Sequence, residues 1–176
     1  MAITDPPPPP FDDTSVSNPL DCPPLRWGIL GCGRVSHDFC LALQHVPTAT
    51  VVACAARDGK RAQEFANKHG IRRAYGGAAG YDEMLRSNSS NNDIDCIDIV
   101  YVGNVHAFRR TDVARCIQAK KHVLVEKPFA CTADDAKYLM DLARDYDVFI
   151  MEGMWTRFFP AVEHVRKKGW IVFFAC

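Results

Sequence analysis

From Leu25 onward, short apolar runs rich in β-branched residues alternate with stretches whose apolar positions recur every three to four residues. The runs Arg26–Leu30, Thr50–Ala55, Cys96–Tyr101, His122–Val125 and Val148–Met151 lack strict polar alternation, which predicts strands buried on both faces. The helical periods predict helices over Ser36–Gln44, Lys60–His69, Tyr81–Arg86, Ala107–Ala119 and Thr132–Tyr146. In the last, Ala136, Leu139, Met140 and Ala143 mark the inward face. Thr132 is placed to cap its N-terminus, and Asp134 and Asp135 lie where the helix dipole favours a negative charge. Strand and helix in alternation predict an α/β fold, a parallel sheet joined by right-handed crossovers. The polar string Ser87–Asn92 predicts an exposed turn.

Residues before Leu25 have a different texture. Five consecutive prolines, Pro6–Pro10, lead through a Ser/Thr/Asn-rich stretch to Cys22, Pro23 and Pro24. Such a segment carries too little apolar surface to offset its ordering, so residues 1–24 are expected to be a disordered proline-rich tail, with a proline-recognition ligand as the alternative. The chain has 176 residues, enough for one domain with a real core and too few for two. Lys and Arg number 21 and Asp and Glu number 21, so no basic excess points to nucleic acid or to an anionic membrane surface. No apolar run is long enough to span a bilayer, and the acidic, proline-rich N-terminus is unlike a signal peptide, so a cytoplasmic protein is expected. The eight cysteines form no CxxC pair and fall partly inside apolar runs, which reads as small core residues and no metal site.

The first strand runs directly into Gly31-Cys32-Gly33-Arg34-Val35-Ser36 and then a helix. That order suits a dinucleotide: the first glycine turns the chain, the second lets a pyrophosphate approach the backbone, and the helix N-terminus offers free N–H groups. Ser36 stands where a third glycine or alanine is usual, and its small side chain still permits close packing. The reading is therefore a Rossmann-type doubly wound sheet with cofactor contacts from Gly31, Cys32, Gly33, Arg34 and Val35. After the second strand, where a free ribose hydroxyl would call for an acid, stand Ala56-Arg57-Asp58. With Ala56 in the ribose-facing position, Arg57 can pair with a 2′-phosphate, which favours NADP over NAD. The alternative has Asp58 holding the ribose and Arg57 merely solvated.

Ligands of doubly wound sheets bind beyond the carboxyl ends of the strands. Two strand ends therefore face the crevice: Gly103-Asn104-Val105-His106, and Glu126-Lys127-Pro128. Lys127 follows an apolar strand at once, Pro128 restricts its backbone to extended geometry, and its ammonium can orient a substrate hydroxyl or the nicotinamide ribose. A lysine desolvated beside a cationic ring would suit proton transfer. His106 reads equally as a base or ligand and as a structural hydrogen-bonder, while His37 and His45 read as surface or packing residues.

With Gly31-Cys32-Gly33, Ala56-Arg57-Asp58 and Glu126-Lys127-Pro128 in hand, the chain resembles the glucose-fructose oxidoreductase, inositol dehydrogenase and MocA family. Within it the likeness is to the subfamily that oxidises dihydrodiols and D-xylose, carried by Leu25–Leu30, Glu64-Phe65-Ala66, Tyr101-Val102-Gly103 and the string Trp155-Thr156-Arg157-Phe158-Phe159-Pro160-Ala161. The resemblance covers about residues 25–166. It implies a dinucleotide-binding domain over 25–152, with 153–176 starting a junction to a C-terminal substrate domain that also carries a dimer interface. It implies further that Lys127 is the catalytic lysine, that Gly103, Asn104, His106 and Glu126 approach the cofactor, and that Trp155, Arg157 and Phe158 lie near a diol or aldopyranose substrate. Relatives usually place a second histidine three residues after the first, where this chain has Arg109. They also continue into the substrate domain, where this chain runs into Lys168–Cys176 with seven consecutive apolar residues. The expectation is a cofactor-binding half that binds without turning over, or else a non-catalytic nucleotide-binding or interaction protein that uses its apolar tail. A Rossmann-like methyltransferase is disfavoured by Lys127-Pro128 and by the surroundings of Arg57.

Overall fold

The structure, a computed structural model, describes residues 23–77, 79–86 and 96–167. Six parallel strands form one sheet: β1 (Leu25–Leu30), β2 (Ala49–Ala56), β3 (Arg73–Gly76), β4 (Ile99–Val102), β5 (His122–Glu126) and β6 (Ile150–Gly153). Their order across the sheet is β3-β2-β1-β4-β5-β6. The chain reverses direction of growth between β1 and β4, so the ends of those two strands diverge and leave a crevice. The helices are α1 (Arg34–Leu43), α2 (Gly59–His69), α3 (Gly80–Leu85), α4 (Arg109–Gln118), α5 (Ala133–Asp145) and α6 (Pro160–Lys167).

Alternate residues of the central strands feed two separate cores, which is why no polar alternation appears in their sequence. On one face Ile29, Cys54, Ile99 and Tyr101 meet Cys40 and Leu43 of α1 and Ala62, Phe65 and Ala66 of α2. On the other, Leu30, Ala55, Val100, Val102, Val123 and Val125 meet Met84 of α3, Val113 and Ile117 of α4, and Leu139 and Ala143 of α5. Ser36, Cys40 and Leu43 are the buried side chains of α1, at spacings of four and three that keep one stripe inward. Thr132 caps α5 by accepting from the Asp135 N–H at 3.1 Å, as its sequence position predicts.

Four expectations need correction. The strand expected to begin at Cys96 begins at Ile99, because the Asp98 carboxylate takes the Arg26 N–H at 2.8 Å and grips its guanidinium. Strand β3 was not foreseen, since Arg73-Ala74-Tyr75-Gly76 is a four-residue edge strand without an apolar run. Met140 is exposed: the inward stripe of α5 runs through Leu139 and Ala143, and Met140 sits one position round the helix from it. Cys32, Cys40, Cys54, Cys96 and Cys116 are buried as expected, but Cys131 is exposed. Expectations for the proline-rich tail, the Ser87–Asn92 turn and the segment Lys168–Cys176 lie outside the described residues. Among the described residues no helix is long and apolar enough to cross a membrane, and no cluster of His, Cys, Asp or Glu could hold a metal ion.

Candidate functional site

The turn after β1 is shaped by residues that leave its outer side open. Gly31 has φ +97°, and a Cβ there would lie 2.9 Å from the Asn104 nitrogen, so only glycine fits. A Cβ on Gly33 would find nothing nearer than the Gly103 carbonyl at 4.0 Å. Ser36 is fully buried and donates its hydroxyl to the Gly31 carbonyl. A side chain on Gly103 would strike that hydroxyl, so Gly31, Ser36 and Gly103 lock the turn to the end of β4. Gly33 caps α1 without a side-chain bond, and no acidic residue occupies the first turn. The leading amides of α1 and its positive dipole end thus meet the crevice with no carboxylate of their own to neutralise them. Cys32 is buried, Arg34 and Val35 are exposed, and Val35 is an uncovered apolar side chain beside the turn.

At the end of β2 the two acid–base alternatives separate. Asp58 accepts from the Lys60 and Arg61 N–H groups at 2.9 and 3.4 Å and so serves as the N-cap of α2. Ala56 is buried, and the exposed Arg57 lays its guanidinium over the Phe108 ring, 4.8 Å from its centroid. Arg61 reaches back to the glycine turn, donating its Nε to the Cys32 carbonyl at 2.9 Å. Two guanidinium groups therefore flank the strand end, where the Asp58 carboxylate already accepts from two backbone N–H groups. Beside them a cavity of about 380 Å³ opens between Arg57, Gly77 and Tyr81 on one side and Asn104, Val105, Phe108 and Asp112 on the other. Asp112 lies on its wall; burial raises its carboxyl above the usual range, opposed by Arg115 and by the Asn104 amide that donates to it at 2.5 Å.

The loops after β4 and β5 are joined by a residue that sequence reading treated only as a substitution. Arg109, the first residue of α4, is 5% exposed. Its guanidinium donates to the carbonyls of Asn104 (3.0 Å), Glu126 (2.5 Å) and Pro128. Burial lowers its pKa, and the nearby Glu126 and Tyr101 act in the opposite sense. Tyr101 donates to Glu126 Oε1 at 3.0 Å, the Lys127 N–H donates to Glu126 Oε2 at 3.0 Å, and the Phe129 N–H donates to Glu152 at 2.8 Å. Lys127, in a cis peptide with Pro128, is thereby fixed through its backbone while its side chain stays exposed. His106 is exposed in the short helical turn before α4, and its carbonyl accepts from the Cys131 thiol at 3.6 Å. Arg109 could have been found from phase: with Asp112, Val113 and Cys116 it marks the buried side of α4.

Trp155, Arg157 and Phe158 sit on a helical turn beyond β6, with Trp155 and Phe158 more than half exposed. Trp155 packs edge-on against Phe159 with ring centroids 5.2 Å apart. The sheet thus brings Gly31–Val35, Arg57, Gly103–Asn104 and Glu126–Lys127 to the carboxyl ends of β1, β2, β4 and β5, and the Trp155 turn follows β6.

Residues 25–154 match the oxidoreductase family Gfo/Idh/MocA, described as having an NAD-binding Rossmann fold. The chain is 45% identical over 145 residues to trans-1,2-dihydrobenzene-1,2-diol dehydrogenase of Danio rerio and 42% identical over 145 residues to that of Homo sapiens. In each case 81% of this chain aligns with 40% of the relative, so the chain spans about two fifths of the length of these curated relatives. Among solved structures, a 3-ketoreductase from Actinomadura kijaniata in complex with NADP superposes with a TM-score of 0.70 at 29% identity, over 81% of this chain and 42% of that one. An oxidoreductase from Agrobacterium radiobacter in complex with NAD+, L-tartaric acid and magnesium gives 0.71 at 26% identity, over 82% and 40%.

Proposed function

The chain belongs to the Gfo/Idh/MocA oxidoreductase family, and on that premise we propose that residues 25–152 bind NADP as the cofactor-binding part of a dehydrogenase acting on dihydrodiols or aldopyranoses such as D-xylose. The observation that carries the cofactor preference is the pair of guanidiniums at the end of β2, with Asp58 consumed as a helix cap. A 2′-phosphate there gains charge-assisted bonds from Arg57 and Arg61, whereas Asp58, the carboxylate next in chain, already accepts from the Lys60 and Arg61 N–H groups.

The remaining residues fit the rest of a dinucleotide. Gly31, Cys32, Gly33, Arg34 and Val35 surround the pyrophosphate, whose charge meets the uncapped end of α1. Gly103, Asn104, His106 and Glu126 border the crevice on its way to Lys127. When bound, NADP supplies the acceptor for hydride from a carbinol carbon. The Lys127 Nζ holds the substrate hydroxyl and takes its proton, and Trp155, Arg157 and Phe158 form the near wall of the substrate space. Arg109 positions Lys127 by holding the Glu126 and Pro128 carbonyls on either side of it.

Titration of the purified chain with NADPH and NADH, followed by nicotinamide fluorescence, tests this reading. NADPH is expected to bind at least about tenfold more tightly, and Arg57→Ala to remove most of that difference, about 1.4 kcal/mol. Equal affinities would overturn the NADP preference, and binding of neither would overturn the nucleotide reading itself.

A further inference from the structure

We propose that Phe108 is a positioning residue for the 2′-phosphate: its ring holds the Arg57 guanidinium at the end of β2 and leaves every N–H of that group free for the ligand. The contact stands on the structure, while its effect on binding rests on the function proposed above.

The two guanidiniums at this strand end are held in different ways. Arg61 gives its Nε to the Cys32 carbonyl at 2.9 Å, so a backbone acceptor fixes it at the expense of one donor. Arg57 is exposed just beyond β2, and among the described residues no hydrogen bond or ion pair holds its side chain. Asp112, on the wall of the same cavity, spends one oxygen on the Asn104 amide at 2.5 Å and the other on Arg115 at 3.2 Å. Arg57 has instead the Phe108 ring, with its Cζ 4.8 Å from the centroid.

The ring stands where such a contact is useful. Phe108 ends the helical turn His106–Phe108 after β4, and β2 and β4 lie on either side of β1 in the sheet. The Arg57–Phe108 contact therefore joins the two strand ends that flank the glycine turn. The backbone under the ring is fixed: the Phe108 N–H donates to the Val105 carbonyl at 3.0 Å, and the next residue is the buried Arg109 with its three loop carbonyls. The ring itself is 46% exposed and belongs to neither core. What it offers is a face for the guanidinium.

A cation over an aromatic face is drawn by the ring quadrupole and spends no hydrogen bond. The N–H donors of a guanidinium lie in its plane, so stacking leaves its edges open to a phosphate in fork geometry. Stacking also narrows the rotamers of a long side chain before the ligand arrives, which lowers the cost of ordering it on binding. An exposed contact of this kind is worth about two- to fivefold in affinity. The gain passes through Arg57, so NADPH receives it and NADH does not.

The test compares NADPH and NADH affinities, by nicotinamide fluorescence, for the full chain, Phe108→Leu, Phe108→Tyr, Arg57→Ala and the double variant Arg57→Ala/Phe108→Leu. Leucine keeps apolar bulk and removes the π face, whereas tyrosine keeps both. Phe108→Leu is expected to weaken NADPH about two- to fivefold and to leave NADH unchanged, and Phe108→Tyr to match the parent. Once Arg57 is alanine, Phe108→Leu is expected to cost nothing further. Without any cofactor, the Arg57 Nε–H proton resonance, assigned by its loss in Arg57→Ala, is expected to lie upfield through the ring current and to move downfield in Phe108→Leu.

Equal weakening of NADPH and NADH would set the ring against another part of the dinucleotide, and an undiminished loss in the Arg57→Ala background would make it act without Arg57. Either result overturns the proposal, as does an unchanged NADPH affinity in Phe108→Leu or an Arg57 resonance that the ring does not shift. If Arg57→Ala leaves the preference for NADPH intact, the cofactor reading fails and takes the role of Phe108 with it. If Arg57→Ala removes the preference and Phe108→Leu does not lower it, only the role of Phe108 fails.

Discussion

A single buried guanidinium holds the two loops that carry the proposed chemistry. Arg109 donates to the carbonyls of Asn104, Glu126 and Pro128. Replacing it with Met fills similar space but leaves those acceptors unpaired, each costing about 1 to 3 kcal/mol. Arg109→Met is expected to lose at least about 3 kcal/mol in urea unfolding, and Arg109→Lys to recover only part, since an ammonium cannot span three carbonyls from one plane. A change below about 0.5 kcal/mol would mean that the loops hold themselves. In the sequence the residue stands as an arginine where the resembled family has histidine, and its helical phase with Asp112, Val113 and Cys116 marks it as buried without naming its partners. Its acceptors lie 5 to 19 residues away in the chain and on two loops, a relation that no local pattern encodes. The glycines were legible because their constraint is local: Gly31 needs its positive φ within the turn itself.

Between elements, the contact of α1 with α2 contains a titratable pair. His37 Nδ1 and His69 Nε2 lie 2.8 Å apart and share one hydrogen, with Lys68 Nζ 3.4 Å from the other nitrogen of His37 and the Phe65 ring against His69. Burial, then His37 and Lys68, lower the His69 pKa. A folded value below the unfolded one of about 6.5 means stability that is present above that pH and is lost as pH falls through the folded value. The thermal midpoint is expected to drop as pH falls from about 7 to 5, and His69→Asn to flatten that limb; equal slopes would remove the pair as its cause. Sequence reading placed His37 as a surface or packing residue, since its partner is 32 positions away on the next helix. Elements were legible where they were long and periodic, as in α5 with its Thr132 cap. Strand β3 escaped because an edge strand of four residues carries little apolar signal, and α6 because Pro160–Lys167 reads first as the end of a family string.

At the scale of the molecule, alternation of strand and helix led to the doubly wound sheet, and the sheet order places the crevice at the β1–β4 junction. Two independent cores flank the central strands, so their apolar runs follow directly from burial on both faces. The cavity beside Arg57 was not legible, because its walls come from the residue after β2, the β3–α3 connection, α3, the loop after β4 and α4. Beyond β6, Trp155, Phe158, Phe159 and Val162 form an exposed apolar group, and this chain aligns with 40% of its curated relatives.

In the proposed complex a dinucleotide rests on the glycine turn with its 2′-phosphate between Arg57 and Arg61. Hydrogen exchange of backbone amides with and without NADPH tests it most directly. NADPH is expected to slow exchange at Cys32–Ser36 and at Arg57–Arg61, and NADH to slow the first segment and spare the second. Unchanged exchange at the turn in saturating NADPH, or protection confined to other elements, would contradict it.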